Sequence, residues 1–429
     1  MLGSALRKGL TVNMLPGEKR LTFLNAGQST ASGVKVGPET AMTASAVYGA
    51  VTLTADTMAS LPVRFLLEDD ADRLPQAPPN LSALTGSGKV NPFQNRVDFI
   101  QTVYISMLLY GECFLYPRRN NGGDAFEIYP LDPARVSEVE RLDGENGSIG
   151  LRFRIDDWNA NDGWVENRPG RPAGMVHIPL HVMPGRLRGL SPVSQMAELI
   201  GMSLSSQEHA SRFLGDGVHM TGTIETTGDM TPDQAKELWE NFQRMHAGPK
   251  KAGRVGILTS GAQFKSVTIP PKELEFLEQM KLSDSRIHSA VYRVPPHLMG
   301  DVERSTSWGT GIEEQTNNWV KFRLLSLAKK VEAEIEATLL PPKMQMKFAM
   351  NGLLRGVAKD RAEFYRLLWN MGVLSQDDIL GFEDMPPVPD GKGKQRYVPL
   401  NMAPLGEPQD AGSLNARARL AVELLAEGR

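Results

Sequence analysis

Three short stretches of the sequence contain residues whose types and spacing could perform chemistry. His177 and His181 in HIPLH have the spacing that, on a helix, places two imidazoles on one face, as in zinc sites. Carboxylates cluster in EDDADR at residues 68–73, and such oxygens are the ligands that Mg²⁺ prefers. TGSGKV at residues 85–90 has the Gly-rich character of a phosphate-binding loop. The chemistry to be weighed is therefore metal binding or nucleotide binding.

Each of these stretches fits a structural role better than its chemical one. Pro179 stands between the two histidines, so HIPLH is predicted to be extended, and no Cys or acidic third ligand lies close by in the sequence. A phosphate-binding loop needs a glycine and a Ser or Thr where this sequence has Ala83 and Val90. The acidic cluster follows an apolar strand pattern, where a solvated turn is more common than a metal site. We therefore predict a protein that is not an enzyme, with no catalytic residue, no metal site and no cofactor.

Composition narrows the class of protein further. The chain has 429 residues and a net charge of −3, which argues against tight binding of nucleic acid, because such binding depends on Lys and Arg displacing counterions from phosphates. No run of about eighteen apolar residues occurs, so a membrane span is not predicted. The single cysteine, Cys113, lies in an apolar strand-like run and is predicted to be buried.

The elements that would position these residues predict an α+β protein of several domains. Residues 1–40 are small and polar and are predicted to form a flexible N-terminal arm. Helical spacing of apolar residues after Ala41, a second helix that ends at Gly111 and two strands around the turn NNGGD predict an α+β domain at residues 41–190. At residues 191–216 another helix is predicted, because Ser191 is a good N-cap residue and Pro192 suits the first helical position.

A compact insert and two long helices follow. Residues 217–270 have a β-α-β-β pattern, in which Thr231 and Gln234 are placed to form a capping box. Apolar residues recur every three or four positions in residues 271–294 and again in residues 312–340, which predicts two amphipathic helices. The stretch PPHLMGDVERSTSWGTG, residues 295–311, joins them, and loops of this length are usually functional or disordered.

Several of these segments, taken in order, resemble the portal proteins (head–tail connectors) of tailed bacteriophages. They are TASAVYGAVTLTADTMASLPV, NPFQNRVDFIQTVYISMLLYGECFLYP, YPLDPARV, RGLSPVSQMAELIGMSL, and YRVPPHLMGD followed by IEEQTNNWVKFRLLSLAKKVEAEIEATLL. The resemblance extends from about Thr43 to Leu340, with the segments in the family's order and at similar spacing. The sequence departs from the family pattern at Gly309 and Gly311, which give the joining loop two additional flexible points.

The resemblance implies a portal-like protomer with a role for each segment. The expected parts are a wing at 41–190, stem helices at 191–216 and 271–294, a clip at 217–270, a tunnel loop at 295–311, a long wing helix at 312–340, and a crown with the C-terminal tail at 341–429. In such a protomer the stem helices line a channel, the clip meets other components of the particle, and the tunnel loop reaches toward passing DNA.

Particular residues receive expected roles from this resemblance. Five residues of the tunnel loop are expected to approach the DNA: His297, Arg304, Ser305, Thr306 and Trp308. Three stem carboxylates are expected to keep the DNA from adhering to the channel wall: Glu273, Glu275 and Glu278. Three residues are expected docking contacts of the clip, although the first of them is equally well placed in the core of the clip: Trp239, Lys250 and Lys251.

The implied function is a ring at one capsid vertex that conducts double-stranded DNA during packaging and ejection. Twelve helices about 11 Å across, standing around a pore, leave a lumen of roughly 30 Å. Six would leave roughly 10 Å, less than the roughly 12 Å width of the duplex major groove alone. A dodecamer is therefore expected, and one chain cannot encircle DNA alone.

The resemblance also implies partners and a location. The expected partners are the other protomers of the ring, the large terminase, a head–tail adaptor, the major capsid and scaffold proteins, and DNA that passes without sequence recognition. No membrane is involved, and the protein is expected to assemble in the host cytoplasm and to reside in the virion. Two alternatives stay open: another ring-forming neck or adaptor protein, and a packaging enzyme such as a nuclease or an ATPase.

Overall fold

The computed structural model combines helices with antiparallel sheets, which confirms the α+β class. The structure describes residues 18–19, 27–67, 77–86, 88–143, 148–159, 161–215, 222–225, 231–234, 236–237, 240, 263–266, 281–301, 310–350, 358–383 and 385–397. The chain divides into two compact units, Met1–Met350 and Asn351–Arg429. Within the described residues, no helix is long and apolar enough to span a bilayer.

The helices and strands are distributed over both units. The α-helices are α1 (Pro38–Ala41), α2 (Ser45–Ser60), α3 (Arg96–Tyr110), α4 (Pro192–Gln195), α5 (Ala197–Gly215), α6 (Thr310–Trp319), α7 (Leu325–Leu339), α8 (Ala358–Asn370) and α9 (Gln376–Phe382). The strands are β1 (Glu18–Lys19), β2 (Gln28–Ser29), β3 (Lys35–Val36), β4 (Val63–Leu67), β5 (Lys89–Asn91), β6 (Gln94–Asn95), β7 (Glu112–Arg119), β8 (Ala125–Leu131), β9 (Val136–Asp143), β10 (Ile149–Ile155), β11 (Trp164–Asn167), β12 (Val176–Pro179), β13 (Gly222–Glu225), β14 (Gln263–Ser266) and β15 (Met344–Phe348). Residues 281–286 are also helical, and two π-helical turns, Ile287–Tyr292 and Val320–Leu324, complete the set used below.

Helices α2 and α3 form the helical layer of the first unit. In α2 the residues Val47, Val51 and Met58, at helical spacing, are fully buried, as the apolar pattern predicts. The side chain of Asn95 caps α3 by accepting hydrogen bonds from the backbone N–H groups of Val97 and Asp98.

Two antiparallel sheets pack on each other beside these helices. One has the strand order β1-β9-β10-β11, and the other has the order β12-β7-β8. Phe114 of β7 meets Phe153 of β10 edge to face at 5.9 Å between ring centroids. The core around this pair consists of buried residues from both sheets: Phe114, Val136, Val139, Phe153, Ile155, Val165 and Met175.

A third, two-stranded sheet connects distant parts of the sequence. Strand β15, which follows the long helix α7, pairs antiparallel with β4, so that Met346 lies opposite Phe65. Both of these residues are almost fully buried. This pairing fixes the end of α7 on the same body as α2 and α3.

The structure corrects two features of the predicted organisation. Residues 27–40, expected to belong to a flexible arm, include the β2–β3 hairpin and most of α1, with Val36 fully buried. They are held in place because the backbone N–H of Ala31 donates to the carboxylate of Glu198 on α5, at 3.0 Å. The helix predicted across residues 191–216 is broken at Met196, whose φ of −116° and ψ of 24° are not helical.

Part of the predicted insert lies within the described residues. Strands β13 and β14 pair antiparallel, and residues 232–234 are helical. The predicted capping box is confirmed, because Thr231 N–H donates to Gln234 Oε1 at 3.1 Å and Gln234 N–H donates to Thr231 Oγ1 at 3.5 Å. The second strand of the predicted β-α-β-β pattern falls outside the described residues.

Candidate functional site

An open groove lies where the predicted second stem helix ends and the long helix begins. It has a volume of about 460 Å³ and is lined by residues of two segments, 289–296 and 315–323. Each segment contains one of the two π-helical turns. Such turns insert an extra residue into a helix and are frequent at functional sites. We name this feature the joint groove.

The backbone changes direction sharply beside the joint groove. Arg293 ends its π-helical turn with φ of 57° and ψ of 40°, a left-handed conformation that is costly for a residue with a Cβ atom. Pro295 and Pro296 follow and cannot donate backbone hydrogen bonds, so the helix cannot continue. A short 3₁₀ helix, Pro296–Met299, then leads into the joining loop.

His297 connects the start of the joining loop to the long helix. Its Nδ1 lies 3.2 Å from Gln315 Oε1, and its Nε2 lies 2.9 Å from Thr316 Oγ1. Both partners are on α6, so the imidazole fixes the base of the loop against the first turns of that helix. The expected contact of His297 with DNA stays a prediction, and it would require these two bonds to break.

Aromatic and cationic side chains of the long helix face the joint groove. Trp319 is 7% exposed and Arg323 is 6% exposed, whereas Phe322 between them is 75% exposed. In the described part of the chain, Trp319 Nε1 and Arg323 Nε are buried and have no hydrogen-bond partner. An unsatisfied buried donor is costly, so these two atoms mark a site that lacks an acceptor.

Positive charge is concentrated around this site. Burial, and then the charge of Arg293, lower the pKa of Arg323 to about 10. Burial, and then the charges of Arg323, Lys330 and Arg293, lower the pKa of His181. We name His181, Arg293, Arg323 and Lys330 the cationic cluster, whose like charges disfavour the charged forms of Arg323 and His181.

Arg323→Met is expected to raise the free energy of unfolding of the isolated protomer by about 1–3 kcal/mol. The lowered pKa of Arg323 corresponds to a cost of roughly 3 kcal/mol for keeping the buried guanidinium charged, and Met retains most of the aliphatic packing. Urea denaturation at protein concentrations where the chain is monomeric measures this. Lys321→Met, at an exposed neighbouring position, is the control and should change stability by less than about 0.5 kcal/mol. A clear loss of stability in Arg323→Met would show that the guanidinium already has a stabilising partner.

A second polar site, which is buried, joins the segment before α4 to the two sheets. Glu112, at the start of β7, accepts hydrogen bonds from Arg188 Nε and from the Gly189 backbone N–H, at 2.8 and 3.1 Å. The same carboxylate lies 3.0 Å from His177 Nε2, and the imidazole stacks on Phe114 with 4.5 Å between centroids. Burial alone would raise the pKa of Glu112, but the hydrogen bond from His177 and the charge of Arg188 hold it below its ordinary value.

This buried site explains HIPLH. The stretch is extended as predicted, because β12 covers Val176–Pro179. His177 points into the protein toward Glu112, whereas His181, a member of the cationic cluster, is exposed. No group of three His, Cys, Asp or Glu side chains that could hold a metal occurs within the residues that the structure describes. Cys113 is buried, and burial raises the pKa of its thiol to about 12.

Most residues that received expected roles from the sequence lie outside the described residues. These are Arg304, Ser305, Thr306 and Trp308 of the loop, Glu273, Glu275 and Glu278 of the stem, and Trp239, Lys250 and Lys251 of the insert. Their roles stay predictions. Among the proposed site residues, the structure describes His297, at the base of the loop.

The sequence contained a signal for the joint groove that apolar periodicity alone did not use. Arg323 stands at the point where the stripe of Val320, Leu327 and Val331 calls for an apolar residue. A charged residue within an apolar stripe indicates a buried charge, and buried charges need partners. No comparable pattern in the sequence predicted the two π-helical turns.

Comparisons with known proteins match the chain over most of its length. The family model described as phage portal protein matches residues 45–384. A probable portal protein of Streptomyces phage phiC31 is 31% identical over 394 residues, which cover 90% of this chain and 84% of the relative. The portal protein of Enterobacteria phage HK97 is 27% identical over 333 residues, 75% of each chain.

A solved structure shares the fold. A chain from the neck of a native gene transfer agent particle, computed with C12 symmetry, superposes with a TM-score of 0.53 at 19% identity. The superposition covers 82% of this chain and 92% of the other. The joint groove and the buried Glu112 site both lie within the residues that the family model matches.

Proposed function

Because the chain belongs to the phage portal protein family, we propose that it assembles into a closed ring at one capsid vertex and conducts double-stranded DNA into and out of the particle. The observation that carries this proposal is the match over residues 45–384, which includes both predicted stem segments and the loop between the second of them and the long helix. Portal proteins are components of the virion, and no step of this proposal requires catalysis by the chain.

The ring is proposed to contain twelve protomers. The C12 symmetry of the related neck structure supports this number, as does the estimate that six helices would leave a lumen of only roughly 10 Å. Cyclic assembly requires a head-to-tail interface, in which one surface of each protomer meets a different surface of the next.

The charge of the chain suits a conduit. A net charge of −3 leaves little electrostatic attraction to hold the phosphate backbone, so DNA can slide. In this proposal the loop after Met299 reaches toward the duplex. Its base is fixed by the contacts of His297 with α6.

The remaining parts of the protomer are proposed to contact other components of the particle. The insert between α5 and the second stem segment is proposed as the clip, which docks the large terminase during packaging and a head–tail adaptor afterwards. The body built on α2, α3 and the two packed sheets is proposed as the wing, which faces the major capsid and scaffold proteins. The second unit is proposed as the crown.

Shortening the joining loop tests the proposed contact with DNA. Replacement of residues 303–308 by two glycines is expected to lower the DNA content of particles by about tenfold, because DNA that moves through the channel would lose the loop contacts that position it. The measurement is DNA per particle in heads assembled with the cognate capsid protein and terminase.

The control for this experiment is the insertion of two glycines within residues 144–147, which connect β9 to β10 in the sequence. Electron microscopy must first show that both variants form rings. Normal DNA content in rings with the shortened loop would mean that the segment is a linker without a role in packaging.

A further inference from the structure

The joint groove has the features of a binding site for a carboxylate. Its lining contains two arginines, Arg293 and Arg323, and no acidic side chain among the described residues. Arg323 is more than nine-tenths buried, and its Nε has no partner within the described part of the chain. A guanidinium presents a planar fork of donors that matches a carboxylate.

Glu334, whose carboxylate senses the charge of Lys330, does not fill this role. Burial raises the pKa of Glu334, although the charges of His177 and Lys330 act in the opposite direction. Glu334 does not line the joint groove, whereas Arg323 and Arg293 do. Among the described residues, no acidic side chain lines the groove and could serve as the acceptor for Arg323.

The groove fits a protein better than a nucleic acid. A buried arginine gains most from a fixed partner that compensates its desolvation, whereas DNA in a conduit has to move. The lining also has an exposed apolar side chain, since Phe322 is 75% exposed. Apolar area beside a buried cation is typical of a protein interface.

The same helix carries a complementary acidic surface. Glu313 and Glu314 on α6 are exposed and have no ion pair within the described residues. Residues two apart on an α-helix point about 200° from each other, so Glu313 lies opposite Gln315, which lines the joint groove. The protomer thus presents an anionic surface on one side of α6 and a cationic groove on the other.

We propose that the joint groove receives Glu313 of the neighbouring copy of this chain, with the carboxylate bound by Arg323. The proposal rests on the ring of the proposed function, since two different surfaces on opposite sides of one helix form the head-to-tail contact that a cyclic assembly requires. It also places the contact between copies at the base of the loop, next to His297.

Disulfide trapping tests the proposal with substitutions at exposed positions. Ile312→Cys, next to Glu313, and Asn318→Cys are introduced together, so that the Glu313 carboxylate is kept, and Cys113 is left in place because it is buried. The two positions cannot bridge within one helix, because six residues rise about 9 Å and a disulfide needs Cα atoms within about 7 Å. Mild oxidation is expected to link successive copies into a ladder on a non-reducing gel, at least about tenfold faster than random collision allows.

The matched control combines Asn318→Cys with Asp98→Cys, an exposed position at the start of α3. It should give no ladder under the same conditions. If microscopy shows rings and the Ile312–Asn318 cysteine pair gives no ladder, the groove contact is wrong and the ring proposal survives. If the wild-type chain forms no rings at all, the proposed function itself fails.

Charge reversal provides a second, independent readout. Glu313→Arg and Arg323→Glu are each expected to weaken ring assembly by at least about a hundredfold, and the double variant is expected to restore most of it. Circular dichroism and thermal melting of the protomers test whether each variant folds. If Arg323→Glu does not fold, the disulfide trapping experiment alone tests the contact. The Arg323→Met variant distinguishes a protein partner from DNA. If it forms rings normally but no longer binds duplex DNA in a fluorescence anisotropy assay, the groove binds DNA phosphates and the proposal is wrong.

Discussion

Glu112→Gln is expected to lower the free energy of unfolding by about 3–5 kcal/mol, because it leaves a buried guanidinium without its counter-charge. Glu112 is 1% exposed and Arg188 is 7% exposed, and the guanidinium contacts the carboxylate at 2.6 Å. The Gln side chain has nearly the same volume, so the loss reports on charge rather than packing. Thermal and urea unfolding of the protein measure it.

The pH dependence of this effect has a definite sign. The folded-state pKa of Glu112 is lowered, so its contribution to stability is fully present above the ordinary Glu value, about 4.3, and is lost as the pH falls through the folded value. The difference between wild type and Glu112→Gln should therefore be constant near neutral pH and shrink on acidification below about pH 4.

The control is Glu166→Gln, which removes an exposed ion pair with Arg168 on the same unit. It should cost less than about 1 kcal/mol at every pH. Equal losses in the two variants would mean that the buried network contributes no more than a surface pair.

Gly111→Ala is expected to destabilise the protein by roughly 3 kcal/mol, through left-handed backbone strain and steric overlap together. Gly111 has φ of 79°, and a Cβ atom there would stand 1.9 Å from the carbonyl oxygen of Leu190. The collision is with backbone atoms, which cannot move aside without displacing Ser191, the N-cap residue of α4.

Gly170→Ala separates these two causes. Gly170 has φ of 75°, but a Cβ atom there would meet nothing within 4 Å. It should cost only the strain, about 1 kcal/mol. If both alanine variants melted at the same temperature, the close approach of Gly111 to Leu190 would not be a constraint on the fold.

Local features of the fold followed from the sequence because local rules determine them. The apolar spacing of Val47, Val51 and Met58 gave the buried face of α2. Ser191 accepts a hydrogen bond from the Ser194 N–H, and Pro192 occupies the first turn, as expected for a helix start. Gly111 ends α3 in the left-handed conformation that favours glycine.

Features that depend on residues far apart in the chain could not be predicted from the sequence. The pairing of β15 with β4 joins residues separated by most of the first unit, and no periodicity encodes such a partner. The order in residues 27–40 depends on Glu198, far along the chain. The joint groove depends on two π-helical turns and on a charged residue inside an apolar stripe, which apolar periodicity does not predict.

Cryo-electron microscopy of the purified full-length protein, with native mass measurement over a range of protein and salt concentrations, tests the ring most directly. Closed rings with cyclic symmetry, twelve protomers and an open central channel are expected, with the joint groove of each protomer covered by the next. Monomers alone across the whole range of conditions would contradict it.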